Sequence, residues 1–149
     1  MKILFLGIGK TKHKYLIEGI ERYKKLLKPL VPVEELYLKE EEADPVNAES
    51  DKLIKNIPAG YHSVLLDMKG DSLTSEGLAD LIRSKRDSSV PGIVFVIGGS
   101  EGVSGRLRSA CGSRLSFSSF TFTHQMIRLF LAEQIYRAYS IIGNKKYHK

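Results

Sequence analysis

The sequence has no tryptophan and only one cysteine in 149 residues. Cys111 alone closes no internal disulfide and cannot anchor a structural zinc site. A disulfide-framed secreted domain is therefore excluded, and a reducing, cytoplasmic setting is the expectation. Long apolar runs are also missing. The opening run, Ile3 to Ile8, is six residues long and leads into GIGKTKHK where a signal peptide would carry a small-residue cleavage site. It reads as a buried strand. Nothing approaches the ~20 apolar residues of a bilayer span, so no membrane partner is expected. His13 and His62 have no partner at metal-ligand spacing, so both read as surface or structural residues and no metal is expected.

What is present is ordinary globular material: 42% hydrophobic and 27% charged residues, which argues against wholesale disorder. The length fits one domain over residues 1–149, large enough to bury its own core. The charge is unevenly placed. Lys and Arg number 23 against 17 Asp and Glu, a net of +6, yet residues 1–75 carry 12 of each sign. From Gly102 onward there are eight basic residues and one acid, Glu133. A basic excess concentrated in one third of the chain points to an anionic partner, nucleic acid first.

Strand and helix patterns alternate along the chain. Lys2–Ile8 predicts a strand buried on both faces. Lys14–Lys28 predicts an amphipathic helix ended by Pro29 and Pro32, followed by a strand over Val33–Leu38. Glu40–Asp44 is an acidic turn, Ala48–Ile57 a short helix, and His62–Met68 a third strand. Thr74 or Ser75 can cap a helix running to about Arg86. Gly92–Gly98 is a strong β-branched strand. A helix over Ser104–Ala110, a short LSFS strand and a long helix from His124 to Ile142 complete an α/β pattern with a parallel sheet flanked by helices.

Ligands of open α/β sheets collect at strand carboxyl ends. Gly7-Ile8-Gly9-Lys10 begins like a dinucleotide fingerprint, but Lys12 stands where the third glycine belongs, and no GxxxxGK[ST] occurs. Gly98-Gly99-Ser100-Glu101-Gly102 is either an ordinary strand-to-helix turn or a backbone bent to approach a ligand. Leu115 to His124 interleaves small hydroxyls and aromatics. It is either a helix cap, Thr121 or Thr123, behind core aromatics, or a lip that offers backbone groups to an adenine edge. The last helix is apolar over more than one face, as a subunit interface or a central core helix would be. The tail Asn144-Lys145-Lys146-Tyr147-His148-Lys149 is either a solvated end or a segment that stacks on a base and touches phosphates.

Taken in order, FVIGGSEG, then LSFSSFTFTHQMIRLFLAEQIYRAYSI, then a terminal YHK, with LDMKGDSLTSEGLA upstream, resemble the ribosomal RNA large subunit methyltransferase H family. These are S-adenosylmethionine-dependent enzymes of the SPOUT class. The likeness covers essentially the whole chain and is weakest over residues 39–60. It implies a C-terminal deep trefoil knot, which general topology rules disfavour, and a homodimer. It implies methylation of the N3 nitrogen of a pseudouridine in 23S rRNA on the assembled ribosome. Leu66, Gly98, Phe117, Ser118, Ser119, Phe120, Thr121 and Phe122 would form the S-adenosylmethionine pocket. Ser119-Phe120 stands where related sequences often carry Lys-Met. His148 is the implied proton handler, with Tyr147 placing the base. Arg128 would stabilise the uracil anion or hold phosphate, oriented by His124. Two other classes fit parts of the pattern. A non-catalytic RNA- or ribosome-binding module suits the basic C-terminal third, and a nucleotide-binding oxidoreductase or hydrolase suits the glycine turns alone.

Overall fold

The computed structural model describes residues 1–147. Ten elements alternate: β1 (Lys2–Ile8), α1 (Lys14–Leu27), β2 (Val33–Leu38), α2 (Pro45–Asn56), β3 (His62–Ser72), α3 (Ser75–Asp87), β4 (Gly92–Ile97), α4 (Gly105–Ala110), β5 (Ser113–Ser116) and α5 (His124–Ile142). The five strands form one sheet in the order β2-β1-β4-β3-β5, and every pairing is parallel.

The central strands explain the layering. β1 and β4 are apolar and buried on both faces, and successive side chains point to opposite sides. Ile3 and Phe5 join Ile93, Phe95 and Ile97 in a core beneath Leu27 of α1, Leu78, Ala79 and Ile82 of α3, and Leu131, Ala132, Ile135 and Ala138 of α5. Leu4, Leu6 and Ile8 join Val94 and Val96 on the other face, covered by Leu53 of α2 and Leu107 of α4. Each fully buried Leu or Ile contributes about 1.5–3 kcal/mol of transfer free energy, so these two strands anchor both layers. Three helices start at hydroxyl caps: Thr74 accepts from Gly77 N, Ser104 from Leu107 N and Thr123 from Met126 N. Each such cap contributes about 1 kcal/mol.

Three elements depart from the sequence expectation by more than one residue. α2 begins at Pro45, three residues earlier than Ala48, because proline is well placed in a first helical turn. β3 continues past Met68 to Ser72, and β5 lies at 113–116, where the apolar pattern had suggested 115–118. Both follow from pairing with a distant partner. Leu115 sits opposite Leu66 and again opposite Asp71, with residues 67–70 forming an irregularity between them. At Gly70 a Cβ would lie 2.7 Å from the backbone of Arg114 and Leu115, so only glycine permits this approach.

Candidate active site

The carboxyl ends of β4 and β5, beside Leu66 of β3, border a crevice of the kind where ligands of open α/β sheets collect. A cavity of about 1050 Å³ occupies it, large for a single small ligand. Its inner wall is Leu66 from β3, Ile97 and Gly98 from the end of β4, and Leu115 from β5. The segment from Phe117 to Thr123 forms a second wall, and His124, Gln125, Met126 and Ile127 from the first turn of α5 a third. Every cofactor residue expected from the sequence lines this space: Leu66, Gly98, Phe117, Ser118, Ser119, Phe120, Thr121 and Phe122. Phe120 is 79% exposed at the lip. Its main chain is held inward by Ser118, whose hydroxyl accepts from Phe120 N at 2.9 Å, while Ser116 donates to Ser118 O at 3.1 Å.

The glycine loop after β4 is gripped from behind by two polar residues that the sequence did not single out. Glu49 and Ser50 of α2 are 5% and 1% exposed. The Glu49 carboxylate occupies the place a Gly99 side chain would need and accepts from Glu41 N at 3.0 Å. The Ser50 hydroxyl accepts from Ser104 N at 2.9 Å. Both ends of the loop therefore rest on one turn of one helix. Only their occurrence inside an otherwise amphipathic helix hinted at this. Asp67, at the cavity wall, accepts from Arg108 Nε at 2.8 Å and from Lys69 N at 3.1 Å. Burial pushes its carboxyl upward, but Arg108 and the Lys69 amide outweigh that and hold it below the ordinary carboxylate value.

The four residues expected at the chemistry are not all gathered together. His124 lines the cavity. Burial first, then the charges of Arg128 and Lys12, hold its imidazole below the usual value despite the opposing pull of Glu40, which favours the neutral ring near pH 7. Arg128 is not among the cavity-lining residues, contrary to the expected substrate contact: it is 0% exposed and turned to the chain itself. It donates to Ile8 O at 2.6 Å, Gly9 O at 2.7 Å and Thr11 Oγ1 at 2.9 Å, and its guanidinium lies 3.9 Å over the Tyr37 ring. Its Nε is buried without a partner among the described residues. Tyr147 packs on the far half of α5, with its ring 4.7 Å from that of Tyr136 and its hydroxyl 3.4 Å from Tyr23 Oη. His148 lies outside the described residues.

Three-dimensional pairing also rearranges the charge. Of the basic residues after Gly102, Arg106 pairs with Asp51, Arg108 with Asp67 and Arg137 with Glu133, while Arg128 is buried. Two of those acids come from the half of the chain with no net charge. Half of the eight basic residues in that segment are thus paired or buried, and the net +6 is redistributed over the fold instead of lying along one segment. Among the described residues, no group of three or more His, Cys, Asp or Glu could hold a metal ion, and no helix is long and apolar enough to cross a membrane.

A parallel α/β sheet with a cavity at its strand carboxyl ends, bounded by a glycine turn and a Ser/Phe-rich lip, is the architecture of an α/β protein with its pocket at the C-terminal side of the sheet. The family model described as "Predicted SPOUT methyltransferase" matches residues 1–148. Proteins named ribosomal RNA large subunit methyltransferase H align over essentially full length. That of Halothermothrix orenii is 41% identical over all of both chains, and that of Desulfotalea psychrophila 40% identical over all of both chains. That of Geobacter metallireducens is 40% identical over 99% of each. The chain belongs to the SPOUT methyltransferase family, within the group to which those relatives belong.

Proposed function

We propose that this protein is an S-adenosylmethionine-dependent methyltransferase acting on the N3 nitrogen of a pseudouridine in 23S rRNA, on the assembled ribosome, in the cytoplasm. The observation that carries this reading is the cavity at the carboxyl ends of β3, β4 and β5, bounded by the residues the family resemblance assigns to cofactor binding. The fit to S-adenosylmethionine is chemical. Apolar side chains of Leu66, Ile97, Leu115 and Phe117 suit the adenine faces, and the bends at Gly98 and Ser118 bring main chain to the cavity edge. When bound there, the cofactor supplies a methyl group made electrophilic by its sulfonium. The chain has to orient the acceptor, exclude water and handle one proton.

Those tasks divide among named residues. Leu66, Gly98, Phe117, Ser118, Ser119, Phe120, Thr121 and Phe122 hold the cofactor. His124, neutral and at the cavity wall, orients the incoming base. Arg128 acts as a positioning residue, fixing the turn after β1 against α5. His148 takes the N3 proton and Tyr147 places the base, the tail of one subunit completing the site of the other in a homodimer. The groove beside α5, lined by Leu73, Leu78, Phe122, Leu129 and Phe130 and about 780 Å³ in volume, supports a second copy packing there. The course of β5 against both sides of the 67–70 irregularity supports a C-terminal trefoil knot in one domain spanning residues 1–149.

Mass spectrometry of 23S rRNA fragments from cells with and without the gene tests the reaction. One methylated pseudouridine should disappear with the gene, and an unchanged profile defeats the assignment. Calorimetry with S-adenosylmethionine separates this reading from a non-catalytic RNA-binding module, which would bind ribosomes but no cofactor.

A further inference from the structure

The turn after β1 is the most basic exposed segment near the cavity. No acid precedes Glu18 in the chain, and Lys10, Lys12, His13 and Lys14 follow one another within five residues, all exposed. Lys14 is paired with Glu18 at 3.7 Å, but Lys10 and Lys12 have no ion-pair partner among the described residues. His13 occupies the N-cap of α1 without using its side chain as a cap. Its ring instead stacks on Tyr15, with centroids 5.6 Å apart and planes 27° from parallel. Tyr15 is 62% exposed, a large aromatic surface left to solvent, and both rings border the cavity.

This segment is rigidly mounted. Arg128 holds the Ile8 and Gly9 carbonyls and the Thr11 hydroxyl, and Gln125 Oε1 accepts from Lys12 N at 2.8 Å. Two residues of α5 thus fix the turn in place before any partner arrives, which lowers the ordering cost of binding. An exposed stacked aromatic pair beside unpaired lysines is the combination that receives single-stranded nucleic acid: a base lies on the ring face and the cations meet adjacent phosphates. On the methyltransferase reading the RNA substrate has to reach this cavity, which favours RNA as the occupant of a ring pair at its mouth.

We propose that His13 and Tyr15, flanked by Lys10 and Lys12, form a landing platform for an unstacked base of the substrate RNA at the cavity mouth. This rests on the methyltransferase reading for its substrate and assigns RNA contact to the N-terminal half, where the linear charge count had shown none. The experiment uses the full-length protein and large ribosomal subunits from cells lacking the gene. It measures subunit binding by co-sedimentation, methyl transfer, and S-adenosylmethionine binding by calorimetry without RNA.

Tyr15→Ala should weaken subunit binding and lower kcat/KM by about tenfold, mainly through KM. Its melting temperature and cofactor affinity should stay as in wild type, and Tyr15→Phe, which keeps the ring, should rescue binding. Lys10→Gln with Lys12→Gln should flatten the salt dependence of log binding constant by about 1.4, at about 0.7 per phosphate contact on a single strand. Wild-type binding in both variants overturns the platform. So does a Tyr15→Ala protein with weakened cofactor affinity, which would place the ring in the cofactor site. If the wild-type protein methylates nothing yet Tyr15→Ala still binds subunits less tightly, the platform stands and the methyltransferase reading falls.

Discussion

A guanidinium sealed from solvent must be answered by acceptors, and Arg128 finds them at Ile8 O, Gly9 O and Thr11 Oγ1. Burial draws its pKa down, while Tyr37, Glu35 and Glu40 pull it back up. Arg128→Met keeps much of the side-chain volume but strands two buried carbonyls. The variant is expected to lose on the order of 3–5 kcal/mol of stability, read as a lower urea midpoint. His124 carries a pH consequence. Burial, Arg128 and Lys12 lower its folded pKa, and burial followed by Lys85 does the same at His62. As pH falls through about 6.5, the unfolded chain takes up protons before the folded one, so stability drops until the lower folded values are passed and then levels off. The urea midpoint should therefore be lower at pH 5.5 than at pH 7.5. His62→Gln with His124→Gln should shrink the difference; a midpoint that rises on acidification contradicts the assignment.

At the scale of elements, the strongest constraint is the contact of β3 with β5. Replacing glycine by alanine stabilises by about 0.4–1 kcal/mol only where the native backbone angles and the space around the site suit alanine. At Gly70 the added methyl meets backbone, which cannot swing aside. Gly70→Ala should instead cost about 1–3 kcal/mol, measurable by urea denaturation, and a neutral result would show that the 67–70 segment yields easily. The same contact marks where sequence reading loses its grip. β1, β2 and α5 were legible to the residue, since apolar runs, helical spacing and the Thr123 cap are local signals. The end of β3 and the start of β5 were not, because their register is set by each other across more than forty residues of intervening chain. In the site, the Ser/Phe lip and glycine turn were visible as composition. Glu49, Ser50 and the His13–Tyr15 stack were not, since nothing in a linear pattern tells a buried polar residue or a stacked ring from a solvated one.

At the scale of the whole molecule, the fold holds Tyr147 apart from the cavity proposed for the cofactor. Tyr147 is pinned at α5 by Tyr136, Tyr23 and the Arg137 guanidinium 4.9 Å from its ring, while the cavity lies at the opening turn of the same helix. The tail folds back along α5 as far as Glu133, where the Tyr147 hydroxyl donates to its carboxylate at 3.3 Å, outside the residues that line the cavity. In the proposed homodimer, a site built from a cavity and a tail would be completed between two subunits, each lending its tail to the other. This predicts complementation. One variant, Leu66→Trp, fills the cavity from the end of β3; the other carries Tyr147→Ala and His148→Ala. Each alone should be inactive on ribosomes while remaining folded by thermal melting. Exchanged at equal concentration, half the dimers are mixed and each has one intact site, so about a quarter of the wild-type rate should return. Activity that stays absent, in mixtures shown by mass spectrometry to contain the mixed dimer, would return the tail to its own subunit's site and remove the reason for a dimer in the chemistry.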